Sequence, residues 1–279
     1  MKNENAVKEL NGIPATLLIP LWARAEHTKS PDNVVADDYA ASMIRSINFD
    51  FEIFEKMNSF VKAMTISGVA ARTLIFDNAV RSFMEKYPDG VVLNVGCGLD
   101  ARFFRLDNGK VNWFDLDVGE TIELRKSFFE QSDRYRMVNA SILNKEWIDE
   151  LNISAGTKVL ILSEGTLMYF DEEKVKDFVS LVISKFPDAE LHLEVIGEAL
   201  KDKVHYTVKI LGYNDLTFPW AMDDYSKMEN WTENLRYSGA SELFDVENLS
   251  WTWLGNLIKK IPVLRKKMGS SIVHFNVMN

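Results

Sequence analysis

The stretch from Val91 to Arg105, VVLNVGCGLDARFFR, decides the fold. Its first five residues form a short apolar run, and a loop with two glycines and a helix-like segment follow directly. Such a run with a glycine turn after it is typical of a buried strand that leads into a helix. We therefore expect a strand, a glycine loop and a helix in this order, with a ligand beyond the carboxyl end of the strand.

The same alternation of strand and helix continues downstream. Further strand-like runs lie at 111–116, 135–140, 158–162 and 190–196, and helix candidates at 101–106, 119–131, 144–151 and 171–186. In the last helix candidate the apolar residues have helical spacing, and Asp171 is expected to be its N-cap. Because parallel strands require crossover connections, the pattern predicts an α/β fold with a doubly wound, mostly parallel sheet and helices on both faces.

The two ends of the chain differ from this middle part. Residues 1–88 are predicted to form a helical N-terminal region that ends at Pro88, and 89–279 a core with a helical, aromatic-rich insertion around 199–240. Within the insertion we expect a helix from Ala199 to Leu211. Two strand-like runs near the C-terminus, 243–251 and 271–278, are expected to pair with each other and to complete seven strands.

Composition excludes several classes of protein. The 279 residues are 47% hydrophobic and 26% charged, as in folded globular chains, and the net charge is −9. So acidic a chain is expected to bind small molecules or another protein rather than nucleic acid. The single cysteine and four histidines lack metal-ligand spacing, so we expect no metal. We see no signal sequence or membrane span, expect a cytoplasmic protein without a membrane partner, and interpret the basic run 259–267 as a solvated helix face.

The glycine loop predicts a nucleotide-like cofactor. Gly96 and Gly98 permit close approach of the backbone to a ligand. Asp117 follows Gly98 by nineteen residues, the sequence spacing at which the NAD fingerprint has its ribose-binding acid. Asp100, however, lies inside the loop, where a dinucleotide would place its pyrophosphate. At ~4 Å and an effective dielectric of ~20, each like-charge contact costs about 4 kcal/mol, partly offset if Arg102 and Arg105 turn inward.

S-adenosylmethionine fits these charges better, because it has no phosphate and carries a sulfonium and an ammonium group. Asp100, Asp115 or Asp117, and Glu164 are acids at presumed strand ends, and Arg72 is available for the one carboxylate of this cofactor. An unpaired carboxylate is costly beside an apolar run, so the agreement of three strand ends indicates a cationic ligand.

Four motifs resemble those of the leucine carboxyl methyltransferase-like family of S-adenosylmethionine-dependent methyltransferases, and they occur in the order in which that family has them. They are Ala71–Phe76 (ARTLIF), Asn94–Arg105 (NVGCGLDARFFR), Trp113–Asp117 (WFDLD) and Ser163–Phe170 (SEGTLMYF). The likeness is greatest to the bacterial branch of tetracenomycin-type polyketide O-methyltransferases. It implies a class I methyltransferase fold in which residues 1–88 contain a lid, and looser likeness to that lid extends over 16–39.

The resemblance also implies roles for individual residues. Arg72 would bind the methionyl carboxylate, Asp117 the ribose hydroxyls, and Glu164 would face the amino end of the cofactor. Ser141 stands where relatives often have an acid that receives the adenine amino group, and Ala101 where they commonly have threonine. The complete predicted cofactor site is Arg72, Gly96, Cys97, Gly98, Asp115, Asp117, Ser141, Ile142 and Glu164.

The implied chemistry is methyl transfer to an oxygen of a small molecule, which needs positioning rather than a nucleophilic side chain. A carboxylate acceptor is already ionised at neutral pH, whereas a phenol needs a base, for which His205 is the candidate. We favour a carboxylate of a polyketide-like metabolite and expect Tyr169, Tyr206 and Trp220, with Phe218, in the substrate wall. The alternatives are a nicotinamide-dependent oxidoreductase on the same sheet and a non-catalytic cofactor-binding homologue.

Overall fold

The computed structural model describes residues 10–31 and 33–278. It contains one seven-stranded sheet in the order β3-β2-β1-β4-β5-β7-β6. The strands are β1 Val91–Val95, β2 Asn112–Asp117, β3 Tyr135–Asn139, β4 Val159–Ser163, β5 Glu190–Ile196, β6 Leu235–Glu242 and β7 Ser270–Val277. All neighbouring strands are parallel except β7, which runs antiparallel to both β5 and β6. The predicted mostly parallel seven-stranded sheet is therefore confirmed.

The α-helices account for most of the remaining regular structure. They are α1 Leu18–Thr28, α2 Asp38–Ser46, α3 Ser59–Lys86, α4 Arg102–Leu106, α5 Gly119–Arg125, α6 Glu146–Glu150, α7 Glu172–Lys185, α8 Tyr206–Ile210, α9 Trp253–Lys259 and α10 Pro262–Met268. The predicted N-cap of α7 is confirmed, because the Asp171 carboxylate accepts a hydrogen bond from the Lys174 amide at 3.0 Å.

Helices cover the sheet on both faces, since successive side chains of a strand point to opposite sides. Val92 of β1 packs in a core with α1, α2 and α3. Its neighbours Val91 and Leu93 pack in a second core with α6 and α7. A strand buried on both faces needs a continuous apolar run, which is why β1 and β4 were visible in the sequence.

Two expectations for the C-terminal third are wrong. Residues 243–251 contain a short 3-10 turn, Leu243–Asp245, in place of a strand, and β7 pairs with β6 and β5. The expected helix at 199–211 is reduced to a 3-10 turn, Glu198–Leu200, and the five residues of α8.

Helix α3 is long and apolar enough, by length and composition, to cross a membrane. Ten of its residues are nevertheless buried in this fold. In its second half Asp77 is 1% exposed and accepts a hydrogen bond from Arg102 on α4 at 2.7 Å. A buried ion pair to a neighbouring element is what a core helix makes, so we interpret α3 as part of the core, and the absence of a membrane span stays a prediction.

Candidate functional site

A cavity of about 720 Å³ opens at the carboxyl ends of β1, β2, β4 and β5. This is the edge at which doubly wound sheets bind their ligands, and the volume lies within the range of about 300–1,000 Å³ that small-molecule sites occupy. One end is lined by the glycine loop and by charged side chains, and the rest mainly by apolar ones.

The loop between β1 and α4 requires its first glycine. Gly96 has a φ of +71°, and a Cβ there would collide with the side chain of Thr166, which follows β4. The amides of Gly96 and Cys97 donate to the Leu116 carbonyl of β2, at 2.8 and 3.2 Å. The loop is therefore held against two neighbouring strands and exposes its backbone to the cavity, as a cofactor cradle requires.

Asp117, the last residue of β2, lies beside this loop and lines the cavity. Its carboxylate accepts hydrogen bonds from the amides of Gly98 and Val118, each at 2.8 Å. Burial raises the pKa of Asp117, and the two amides counteract this effect. An oriented acid at the end of the second strand can accept the hydroxyl groups of a ribose.

Arg72 on α3 reaches the cavity between two carboxylates. Its Nε donates to Glu164 at 2.8 Å, and its Nη1 donates to Glu194 on β5 at 3.1 Å. Burial opposes the charge of Arg72, but Glu194 and Glu164 outweigh it and raise its pKa. Within the described chain Nη2 of Arg72 has no hydrogen-bond partner, and this donor remains for a ligand carboxylate.

Asp100 lines the cavity, but its carboxylate is paired with arginines rather than free. It is 8% exposed, and Arg102 Nη1 donates to its carboxylate at 2.5 Å, while Arg105 lies at 3.6 Å. Burial would raise the pKa of Asp100, but the two arginines lower it to about 2. The expected repulsion between Asp100 and a pyrophosphate is thus largely cancelled, and this part of the electrostatic argument is wrong.

The lining as a whole still favours a cation. Its charged side chains among the described residues are Arg24, Arg72, Asp100, Asp117, Glu164 and Glu194. With Asp100 set aside because Arg102 and Arg105 neutralise it, three carboxylates against two arginines leave an excess of one negative charge. The pKa of Glu164 is lowered because Arg72 and Arg102 outweigh its burial. A ligand with two cationic groups and one carboxylate complements this set better than a diphosphate does.

Most of the residues predicted for the site line the cavity. They are Arg72, Gly96, Cys97, Gly98, Asp117, Ser141, Ile142, Glu164, Tyr169, His205, Tyr206 and, in the expected wall, Phe218. Burial raises the pKa of the Cys97 thiol well above its ordinary value, so this residue is neutral and its role is packing.

Asp115 is placed differently from the prediction. It does not line the cavity, and Arg125, Tyr135, Trp113 and Asn94 all donate to its carboxylate. Arg125 also donates to the carbonyls of Gly98 and Asp100, at 2.8 and 2.9 Å. Asp115 therefore holds the arginine that supports the glycine loop from below and cannot reach a ligand itself.

Trp220 also lies outside the cavity. It is 1% exposed and packs in the core on the opposite face of the sheet, with its ring 6.2 Å from that of Trp231. Of the other residues expected in the wall, Tyr169 and Phe218 do line the cavity, with their rings 5.2 Å apart, together with residues that the sequence did not indicate.

Three of these unpredicted lining residues are Glu194, Phe244 and Trp251. Glu194 is a buried acid near the carboxyl end of β5, a signal that could have been used. Phe244 and Trp251, with rings 4.6 Å apart, lie in the segment expected to be a strand, and no sequence pattern indicated that they turn towards the cavity.

A family model described as leucine carboxyl methyltransferase matches residues 18–182, more than half of the chain. The chain belongs to the leucine carboxyl methyltransferase family. The matched segment includes the glycine loop, Arg72, Asp117 and Glu164, so most of the polar end of the cavity lies within it, and Glu194 lies beyond it. Membership confirms the resemblance seen in the sequence and the prediction of a methyltransferase that depends on S-adenosylmethionine.

Two curated relatives match nearly the whole chain. The tetracenomycin polyketide synthesis O-methyltransferase TcmP of Streptomyces glaucescens is 30% identical over 92% of this chain and 94% of its own. The S-adenosyl-L-methionine-dependent methyltransferase dpfgK of Gibberella zeae is 26% identical over 90% of each chain. Both relatives therefore match at least nine-tenths of this chain.

Solved structures with a similar fold include a putative methyltransferase from Thermobifida fusca, with a TM-score of 0.56, 10% identity and coverage of 92% of this chain and 94% of that one. A DUF574 family protein from Streptomyces avermitilis has a TM-score of 0.58, 11% identity and coverage of 92% and 97%. At such identities the likeness concerns the fold alone, and it agrees with the predicted class I methyltransferase architecture.

Proposed function

We propose that this methyltransferase transfers the methyl group of S-adenosylmethionine to a carboxylate oxygen of a small, largely apolar metabolite, such as a polyketide-like acid. The observation that carries the proposal is the division of the cavity into a negatively charged end and an apolar remainder. The charged end complements the cationic cofactor, and the apolar part complements a carbon-rich acceptor.

The residues present fit the cofactor. Arg72 has a free donor for the carboxylate of the cofactor, and Glu164 and Glu194 lie beside that arginine. Asp117 lines the cavity and can bind the ribose of the cofactor. When bound, S-adenosylmethionine supplies an electrophilic methyl group on a positively charged sulfur.

The protein's own contribution is to hold the acceptor and to exclude water. Apolar and aromatic side chains from four parts of the chain surround the acceptor end, among them Leu17, Met64, Phe218, Trp251 and Ile258. Holding two reactants at contact distance can supply about 7–11 kcal/mol of the barrier reduction, so no acid or base is needed for an ionised acceptor.

A carboxylate acceptor is favoured because the carboxylates that line the cavity are already engaged by arginines or backbone amides. His205 is the remaining candidate base among the described lining residues. His205 lines the cavity, its Nδ1 lies 2.7 Å from the Thr207 hydroxyl, and burial lowers its pKa, so it is neutral at pH 7. It is therefore the group through which a phenol would be deprotonated.

The acceptor class is tested with methyl-labelled S-adenosylmethionine and a panel of aromatic carboxylic acids and phenols. We expect a labelled product that releases volatile methanol in mild base, as an ester does. A base-stable labelled product would identify an ether instead. Label transferred to no acceptor, despite retained binding of S-adenosylhomocysteine, would favour the non-catalytic homologue.

The variant His205→Gln distinguishes a carboxylate acceptor from a phenol acceptor. With a carboxylate acceptor we expect kcat to stay near the wild-type value. With a phenol it should fall by the factor of about 10²–10⁴ that general base catalysis contributes.

A further inference from the structure

Helices α9 and α10 form a hairpin whose inner side lines the cavity through Leu254, Ile258 and Met268. Its outer side is unusually apolar. Ten large hydrophobic side chains are exposed in the described chain, and five of them lie within 253–268. They are Trp253 at 77%, Leu257 at 45%, Ile261 at 39%, Val263 at 63% and Met268 at 49%; the first four do not line the cavity, whereas Met268 does.

The spacing on α9 puts two of these residues on the side of the helix that faces away from the cavity. Trp253 and Leu257 are four residues apart on α9, whereas Leu254 and Ile258, one position later, point to the cavity. Trp253 is also the only exposed tryptophan of the seven, all of which lie in the described ranges. An exposed patch of this kind marks an interaction surface.

The charge of the same segment is opposite to that of the chain. Residues 248–279 contain five basic and no acidic side chains, while the whole chain has a net charge of −9. The basic residues are Lys259, Lys260, Arg265, Lys266 and Lys267. Arg265 is paired with Glu242 and Asp245, but in the described chain Lys259, Lys260 and Lys267 form no ion pair. Their charge is available to a negatively charged partner.

We propose that the outer face of the α9–α10 hairpin binds the surface of a membrane that contains anionic phospholipids. Lysine is depleted in protein–protein interfaces, which argues against a second copy of this chain or another protein as the occupant. Lysines beside tryptophan and leucine are, in contrast, the composition of helices that lie in the membrane interface. The proposal revises the expectation of a merely solvated basic helix and holds whatever the methyl acceptor is.

The test is co-sedimentation of the full chain with vesicles of phosphatidylcholine alone or with phosphatidylglycerol added. We expect binding to the anionic vesicles that salt weakens. Lys260→Glu with Lys267→Glu should lower the partition coefficient by about tenfold or more, since each basic residue near an anionic surface adds to binding. Trp253→Ser with Val263→Ser should have a comparable effect.

Control variants are Lys110→Glu and Leu143→Ser, which change an exposed lysine and an exposed leucine elsewhere and should bind as wild type does. Brominated lipid should quench the fluorescence of wild type but not of Trp253→Phe, which keeps an apolar ring. Retained binding of S-adenosylhomocysteine by every variant checks that each one folds.

Absence of wild-type binding to anionic vesicles would overturn the proposal. So would binding that the hairpin variants leave unchanged, or a dimer that these variants disrupt without any binding to vesicles.

Discussion

Arg72 on α3 donates from Nε to the Glu164 carboxylate at 2.8 Å, although 92 residues separate them in the chain. Arg102 on α4 donates to the other oxygen of the same carboxylate, also at 2.8 Å. Glu164 thus joins the arginine that faces the cavity to the arginine buried behind the glycine loop. The polar end of the cavity is positioned by ion pairs rather than by apolar packing.

Arg72→Lys should weaken binding of S-adenosylhomocysteine by about 10–100-fold, because a hydrogen bond between charged groups contributes about 1.5–3 kcal/mol. The measurement is isothermal titration. Arg81→Lys, on the exposed side of the same helix, is the control and should bind like wild type. Equal affinities for the two variants would remove Arg72 from the cofactor site.

Arg102→Met should lower the free energy of unfolding by about 3–5 kcal/mol, since it leaves Asp77, Asp100 and Glu164 buried without a shared cation. Urea unfolding measures this loss. Arg134→Met removes an exposed pair with Asp107 and should cost at most about 1 kcal/mol. A loss no larger for Arg102 than for Arg134 would show that the buried network does not position the loop.

Gly96→Ala should destabilise the protein and weaken cofactor binding more than Gly109→Ala does. Both glycines have positive φ, +71° and +77°, so both substitutions incur backbone strain of order 1 kcal/mol. Only at Gly96 does the new Cβ also collide with Thr166, whereas at Gly109 nothing lies within 4 Å. Thermal unfolding and titration with S-adenosylhomocysteine, carried out on both variants, separate the collision from the strain. Equal losses of stability and affinity in the two variants would contradict the close approach of Gly96 to Thr166.

Stability should fall in acid partly through His192, whose mostly buried ring lies edge-on to that of His274 at 4.3 Å. Burial, with smaller contributions from His274 and Lys86, lowers its pKa to about 3. Between that value and the ordinary pKa of about 6.5 the unfolded chain binds the extra proton. The titration of His192 therefore costs no stability above pH 6.5. The free energy of unfolding decreases as pH falls from 6.5 towards 3.

The measurement is the free energy of unfolding against pH for wild type and His192→Asn. The difference between the two curves should change by up to about 1.4 kcal/mol per pH unit in this window. Parallel curves would mean that His192 titrates normally in the folded protein.

The sheet could be predicted where burial constrains the sequence. Strands β1 and β4 are buried on both faces and read as apolar runs, whereas β6 is mostly exposed and left no such pattern. It is held by backbone pairing to β7, with an irregularity between Tyr237 and Gly239. Pairing partners of this kind are set by the tertiary structure, so the neighbouring apolar segment 243–251 was mistaken for the strand.

The part of the site that could be predicted from the sequence is the set of acidic residues at the ends of strands. Asp117 ends β2 and faces the cavity, but Asp115, two residues earlier, lies under the loop and meets Arg125 instead. Whether Arg102 and Arg105 turn towards Asp100 depends on α3, which supplies Asp77 from 25 residues upstream of Arg102. Contacts between distant elements cannot be read from local spacing.

The most direct test of the account is a pair of isothermal titrations of the wild-type protein, one with S-adenosylhomocysteine and one with NAD. A negatively charged cavity end that offers the Nη2 donor of Arg72 predicts binding of the first and none of the second. Binding of NAD without binding of S-adenosylhomocysteine would contradict the assignment of this cavity to a methyl donor.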